Sequence, residues 1–118
     1  MEFQVKDIGD WLVVELRDEL TLHFSQEVKA LAKFHVKNNK NFLFELSKLT
    51  DIDEVGVSSL VYCQELLFEH GLSMRIASPE NKVKLILQIT RAYEILDIYD
   101  DLEIAADLDD EERLESAS

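Results

Sequence analysis

The sequence predicts an α/β single domain: a mixed sheet of four to five strands with three to four helices. Short runs suited to strands lie at residues 2–8, 11–16, 42–46 and 72–77, and longer segments with helical spacing alternate with them. Gly9-Asp10 joins the first two runs in the two-residue manner of an antiparallel hairpin. The passage from residue 11 to residue 46 reads strand, helix, strand, the pattern of a right-handed crossover between parallel strands.

Each element has its reason. Residues 2–8 alternate polar and apolar, which predicts a strand with one wet face, and Trp11-Leu12-Val13-Val14-Glu15-Leu16 predicts a more deeply buried one. Arg17 to His23 reads as a loop. Ser25 is placed to cap a helix running to about Lys37, with Val28, Leu31, Ala32, Phe34 and Val36 as its apolar set and Asn38-Asn39 as its end. Phe42 to Leu46 is too short for a helix and suits a buried strand. Leu49 to Gly56 is the turn after it, and a helix follows in which Val57, Leu60, Val61, Leu67 and Phe68 recur near helical spacing until Gly71 stops it. Leu72 to Ala77 gives a fourth strand. Pro79 suits the first position of a helix whose buried side is Val83, Leu85, Ile86, Leu87 and Ile89. Residues 95–99 suit a short last strand and 102–108 one or two helical turns.

Composition narrows the function. With 118 residues, 47% hydrophobic, three Gly and one Pro, the chain suits one folded domain over 1–108, followed by an acidic, disordered tail over 109–118. No apolar run is long enough to span a bilayer, and the first residues lack the basic-then-apolar pattern of a signal peptide, so the expectation is cytoplasmic residence without direct membrane insertion. The formal net charge is −13, and residues 107–118 set six acids against Arg113. Phosphate backbones are repelled by such a body, so nucleic acid is not an expected partner and a protein with a basic surface is.

Catalytic chemistry is sparse. His23, His35 and His70 stand on separate segments without a second ligand at metal spacing, and Cys63 falls inside an apolar helix as a small core residue. The glycines at 9, 56 and 71 form no phosphate loop. No catalytic residue, cofactor or metal is expected; Asp51, Asp53 and Glu54 form an acidic group, but a helix N-terminus repels a cation. Asp53 suits the N-cap of the central helix and Glu54 the positive end of its dipole. Capping alone accounts for these residue types; the functional alternative is a negative group presented to another molecule.

At Trp11 to Thr21, at Phe42 to Val57, at Gly71 to Ile76 and at Tyr93 to Ala106 the chain resembles the STAS domains of bacterial anti-sigma factor antagonists, and the likeness covers roughly residues 10–108 in order. The first stretch is similar to the family's second strand and its G-x-L-D-like exit. The second is similar to a strand followed by D-S-S-G-L, and the last to the F-x-I-Y-x-x-x-E-E-A ending. The resemblance implies a non-enzymatic protein that binds an anti-sigma factor of serine-kinase type in a partner-switching pathway, with a PP2C-type phosphatase as a further partner. Carried over by position, Asp53 and Gly56 match, Glu54 holds the phosphoacceptor position, Val55 replaces the next serine, and Thr21 replaces an aspartate. Glu54 carries about half the −1.5 to −2 charge of a phosphoserine and lacks a hydroxyl. Glu54 thus resembles a fixed, imperfect imitation of the phosphorylated state: either it repels the partner as phosphate would, leaving a locked-off or differently partnered antagonist, or the partner offers a cation there. The favoured expectation is the second, phosphorylation-independent binding through Leu20, Thr21, His23, Asp51, Asp53, Glu54, Val55, Gly56 and Ser58. Ser58, four residues after Glu54 on nearly the same helix face, reads as a tolerated surface residue rather than a replacement acceptor. The alternative function is a STAS subunit of a lipid-transport ABC system or another non-switching scaffold. Oligomeric state is left open by these residues.

Overall fold

In the computed structural model, which describes residues 2–102 and residue 105, the alternating run Glu2–Ile8 is strand β1 and pairs antiparallel with β2, Trp11–Leu20. Gly9 turns the hairpin with φ 58°, a left-handed value that costs glycine little. Strand β3, Asn41–Ile52, lies parallel to β2; β4, Met74–Ala77, and β5, Ile98–Tyr99, continue in parallel, giving the order β1-β2-β3-β4-β5. Among the described residues three helices accompany the sheet: α1, Ser25–His35; α2, Glu54–Glu69; and α3, Asn81–Ile89. The single α/β domain with a five-stranded mixed sheet and three helices is the one the sequence predicts. Among the described residues there are also two single turns of 3-10 helix, at Val36–Asn38 and Ala92–Glu94.

Alternation sorts the strand side chains onto two faces. Leu12, Val14, Leu16, Phe42, Phe44, Leu46 and Ile76 pack against Val28, Leu31 and Ala32 of α1, Leu60, Cys63 and Leu67 of α2, and Val83 and Leu87 of α3, so all three helices cover one face. A smaller cluster of Trp11, Val13, Leu43, Ala77 and Ala105 occupies the other. There Arg75 is buried, its guanidinium 4.7 Å from the Trp11 ring centre and its Nη1 donating to the Ala105 carbonyl at 2.8 Å. Trp11 is thus a core residue and not an exposed platform.

Several boundaries and faces differ from the sequence reading. Residues 17–20 continue β2 and residues 47–52 continue β3, because Arg17, Asp18, Glu19 and Leu20 pair with Lys48, Leu49, Asp51 and Ile52 across two register shifts. Asp18 takes φ 67° at this irregularity. Ser25 is the first helical residue rather than the cap; Phe24 precedes it without a side-chain cap, and the Ser25 hydroxyl donates to the Leu22 carbonyl at 3.4 Å. Helix α1 gives way to the 3-10 turn at Val36. Phe34 of α1, Phe68 of α2, and Leu85 and Ile89 of α3 are exposed, since each lies outside the narrow stripe its helix turns to the sheet. Pro79 stands before α3, and Glu80 caps it by accepting from the Lys82 and Val83 N–H groups at 3.2 and 3.4 Å. Strand β1 is exposed except at Val5, so it forms an edge with little burial on either face. The expected turns over 102–108 fall largely, and the acidic tail over 109–118 wholly, outside the described residues.

Candidate functional site

Parallel pairing brings the ends of β2 and β3 together, with Leu20 opposite Ile52, so the two loops that leave them emerge side by side. Ligand and partner sites of α/β sheets favour such carboxyl ends. Asp53 joins the loops. As N-cap of α2 its Oδ1 accepts from the Gly56 N–H at 2.8 Å, while its Oδ2 accepts from the Leu22 N–H at 3.0 Å, 31 residues away in sequence. Both carboxylate oxygens are used, and the Asp53 N–H donates back to the Leu20 carbonyl at 3.4 Å.

Gly56 makes this junction sterically possible. A Cβ there would land on the Leu20 carbonyl oxygen, 2.9 Å from its carbon and 3.0 Å from Ile52 Cγ1. The first turn of α2 therefore lies directly against the end of β2. Ser59 is buried and its hydroxyl donates to the Gly56 carbonyl at 2.6 Å, which further fixes that turn.

Of the residues the sequence singles out, Glu54, Val55, Ser58 and His23 are exposed and Asp51 and Asp53 half-buried. Leu20 is fully buried, and Thr21 and Gly56 are buried as well. Their side chains lie below the ridge; their backbone shapes it, the Thr21 carbonyl accepting from the Phe24 and Ser25 N–H groups at 2.9 Å each. Asp51 faces Lys82 of α3 at 3.6 Å. The Glu54 carboxylate, by contrast, has no hydrogen bond or ion pair among the described residues and stands in solvent at the positive end of a sixteen-residue helix. Leu22, 64% exposed at the tip of the β2–α1 loop, is an apolar member of the ridge that the sequence reading passes over. Its signal in the sequence is an apolar residue inside a polar exit loop.

Beside this ridge, the outer face of α2 and the segment between α3 and β5 border a groove of about 600 Å³ that begins at Glu54 and Ser58. On the opposite side of α2, Cys63 is buried among core residues, and burial pushes its thiol up to about 12. A thiol so placed is not a nucleophile at neutral pH. Among the described residues no cluster of three His, Cys, Asp or Glu could hold a metal ion, and no helix is long and apolar enough to cross a membrane.

The family model of the STAS domain matches residues 2–105. No curated protein sequence matches the chain significantly. Among solved structures, a candidate anti-sigma factor antagonist from Thermotoga maritima is similar with TM-score 0.81 and 22% identity over 89% of this chain and 92% of the other. The Bacillus cell fate determinant SpoIIAA in its phosphorylated form is similar with TM-score 0.67 and 16% identity over 90% and 97%. A sulfate transporter family protein from Wolinella succinogenes gives TM-score 0.72 and 14% identity over 81% of each chain.

Proposed function

The chain belongs to the STAS domain family, and from that premise we propose that it is a non-enzymatic, protein-binding regulator of the anti-sigma factor antagonist type. It meets a serine-kinase-like anti-sigma factor in the cytoplasm, through the ridge formed by the β2–α1 loop, the Asp53–Gly56 turn and the outer face of α2. Binding does not wait for phosphorylation, because neither Glu54 nor Val55 has a hydroxyl. The observation that carries this reading is the state of Glu54: its neighbours Asp51 and Asp53 are engaged within the fold, whereas its own carboxylate is exposed and unpaired among the described residues. The full charge of this carboxylate exceeds the roughly half positive charge of the helix end, so a net negative charge is left for a cationic side chain of a partner.

Calorimetric titration of a candidate anti-sigma kinase against the native chain, Glu54→Ser and Glu54→Lys tests this. The expected order of affinity is native, then Ser, then Lys, with the reversal of charge weakening binding about tenfold or more. Identical affinities for all three would remove Glu54 from the interface. Ser58 is exposed one turn further along. Incubation with the kinase and ATP is expected to leave it unmodified, and a phosphate found there by mass spectrometry would restore phospho-regulation to the account.

A second reading, a STAS scaffold within a transport system, draws on the likeness to the Wolinella transporter-family structure and on the missing acceptor hydroxyl. A neighbouring gene for an ABC ATPase or a permease would favour it, and a kinase or PP2C-type phosphatase gene would favour the first.

A further inference from the structure

The groove that starts at Glu54 extends the ridge and has its own chemistry. Along its α2 wall run Glu54, Ser58, Val61 and Glu65, spaced at intervals of four, three and four residues and so forming one stripe. The two carboxylates lie about 16 Å apart along the helix axis, eleven residues at the standard rise. Neither is paired among the described residues. Across the groove stand Thr90, Ala92 and Ile95, with the Ile95 side chain 54% exposed. This far wall is fixed, because the buried Gln64 of α2 donates from Nε2 to the Ile95 carbonyl at 2.8 Å. The groove is therefore preformed, apolar in the middle and anionic at both ends of one wall.

The geometry points to a basic amphipathic helix of a protein partner as the occupant, lying along α2 with apolar residues against Val61 and Ile95 and one cation at each end, over Glu54 and Glu65. This deepens the anti-sigma-antagonist reading and rests on it. A partner helix whose two cations stand about eleven residues apart on one face spans the same 16 Å. An apolar centre supplies contact area, and the charges fix register and direction. The middle of the groove does not favour a third cation: Tyr62 there already has Lys29 and Lys33 of α1 over its ring, at 5.2 and 5.6 Å.

The test uses the full chain and a labelled synthetic helical peptide, about sixteen residues long, with lysines about eleven apart and leucines between them on the same face. Fluorescence anisotropy is expected to detect binding that Glu65→Lys and Ile95→Glu each weaken about tenfold, and that Glu27→Lys on exposed α1 leaves unchanged. A peptide with the matching lysine changed to glutamate is expected to recover affinity for Glu65→Lys. Absence of binding, binding indifferent to Glu65→Lys and Ile95→Glu, or equal binding by a proline-interrupted peptide would each overturn the inference. So would concentration-dependent self-association, measured by sedimentation velocity and abolished by Glu65→Lys, since the occupant would then be a second copy of the chain. If the candidate kinase responds to Glu54 substitutions but not to those at Glu65 and Ile95, the groove falls and the Glu54 site stands. If it responds only to Glu65 and Ile95, the Glu54 site falls and with it the two-cation register proposed for the groove.

Discussion

Helices α2 and α3 both begin with an acidic cap, and the difference between the two starts separates a structural cap from a candidate site. Glu80 accepts only from N–H groups of its own helix, at 3.2 and 3.4 Å. Asp53 holds Gly56 of its helix at 2.8 Å and also Leu22 of another loop at 3.0 Å. The residue after each cap differs too: Asn81 after Glu80, and after Asp53 a glutamate unpaired among the described residues. A cap needs none of that second set of contacts. The α2 start thus makes one bond more than a helix cap requires, and that bond ties α2 to the β2–α1 loop.

Gly56 provides the sharpest way to break the comparison. Gly56→Ala drives a methyl into the Leu20 carbonyl, and neither backbone can yield without parting β2 from α2. The expected loss in chemical denaturation is about 3 kcal/mol or more. A loss under about 1 kcal/mol, the scale of an ordinary helix substitution, would mean that α2 is free to move away from β2.

The caps themselves come next. Asp53→Ala removes two accepted bonds and leaves the Leu22 N–H without its partner, an expected cost of about 2 kcal/mol. Glu80→Ala removes the longer bonds of a self-contained cap and is expected to cost about 1 kcal/mol or less. Equal losses would show that the bridge to Leu22 adds nothing. Asp53→Asn keeps an accepting oxygen for the cap, so hydrogen exchange at the Leu22 amide then reports whether the bridge has gone.

How far the sequence revealed this follows from the range of each interaction. Asp53 as cap, the Gly9 hairpin, the buried Cys63 and the succession of strand and helix segments along the chain all depend on residues a few positions apart, and all were readable. The lengths of β2 and β3 were not, because Arg17 to Glu19 and Ser47 to Asp51 carry loop-like polar residues and become strand only by pairing with each other. Phe34, Phe68, Leu85 and Ile89 match helical spacing as well as their buried neighbours do; only the direction of the sheet decides which apolar residues face it. The contacts of Leu22 with Asp53 and of Leu20 with Gly56 span more than thirty residues and leave no local trace. Glu65 and Ile95 were missed for the same reason, since their shared groove exists only after α2 and the chain beyond α3 have met.

Glu54 carries the smallest expected effect on the fold. Its charge at the first turn interacts with the helix dipole, so Glu54→Ser is expected to cost about 0.5 kcal/mol and Glu54→Lys about 1 kcal/mol of stability. Both are below the Asp53 and Gly56 losses because the Glu54 side chain is exposed and has no hydrogen bond to lose among the described residues. Raising the salt concentration would shrink even that difference, as the charge stands in water. If the same two substitutions alter partner affinity by a larger factor than they alter stability, the carboxylate serves recognition; if affinity follows stability in proportion, it serves only the helix. The α3 start supplies the control, since Asn81→Lys reverses no existing charge and touches no residue of the ridge, and it is expected to leave binding unchanged.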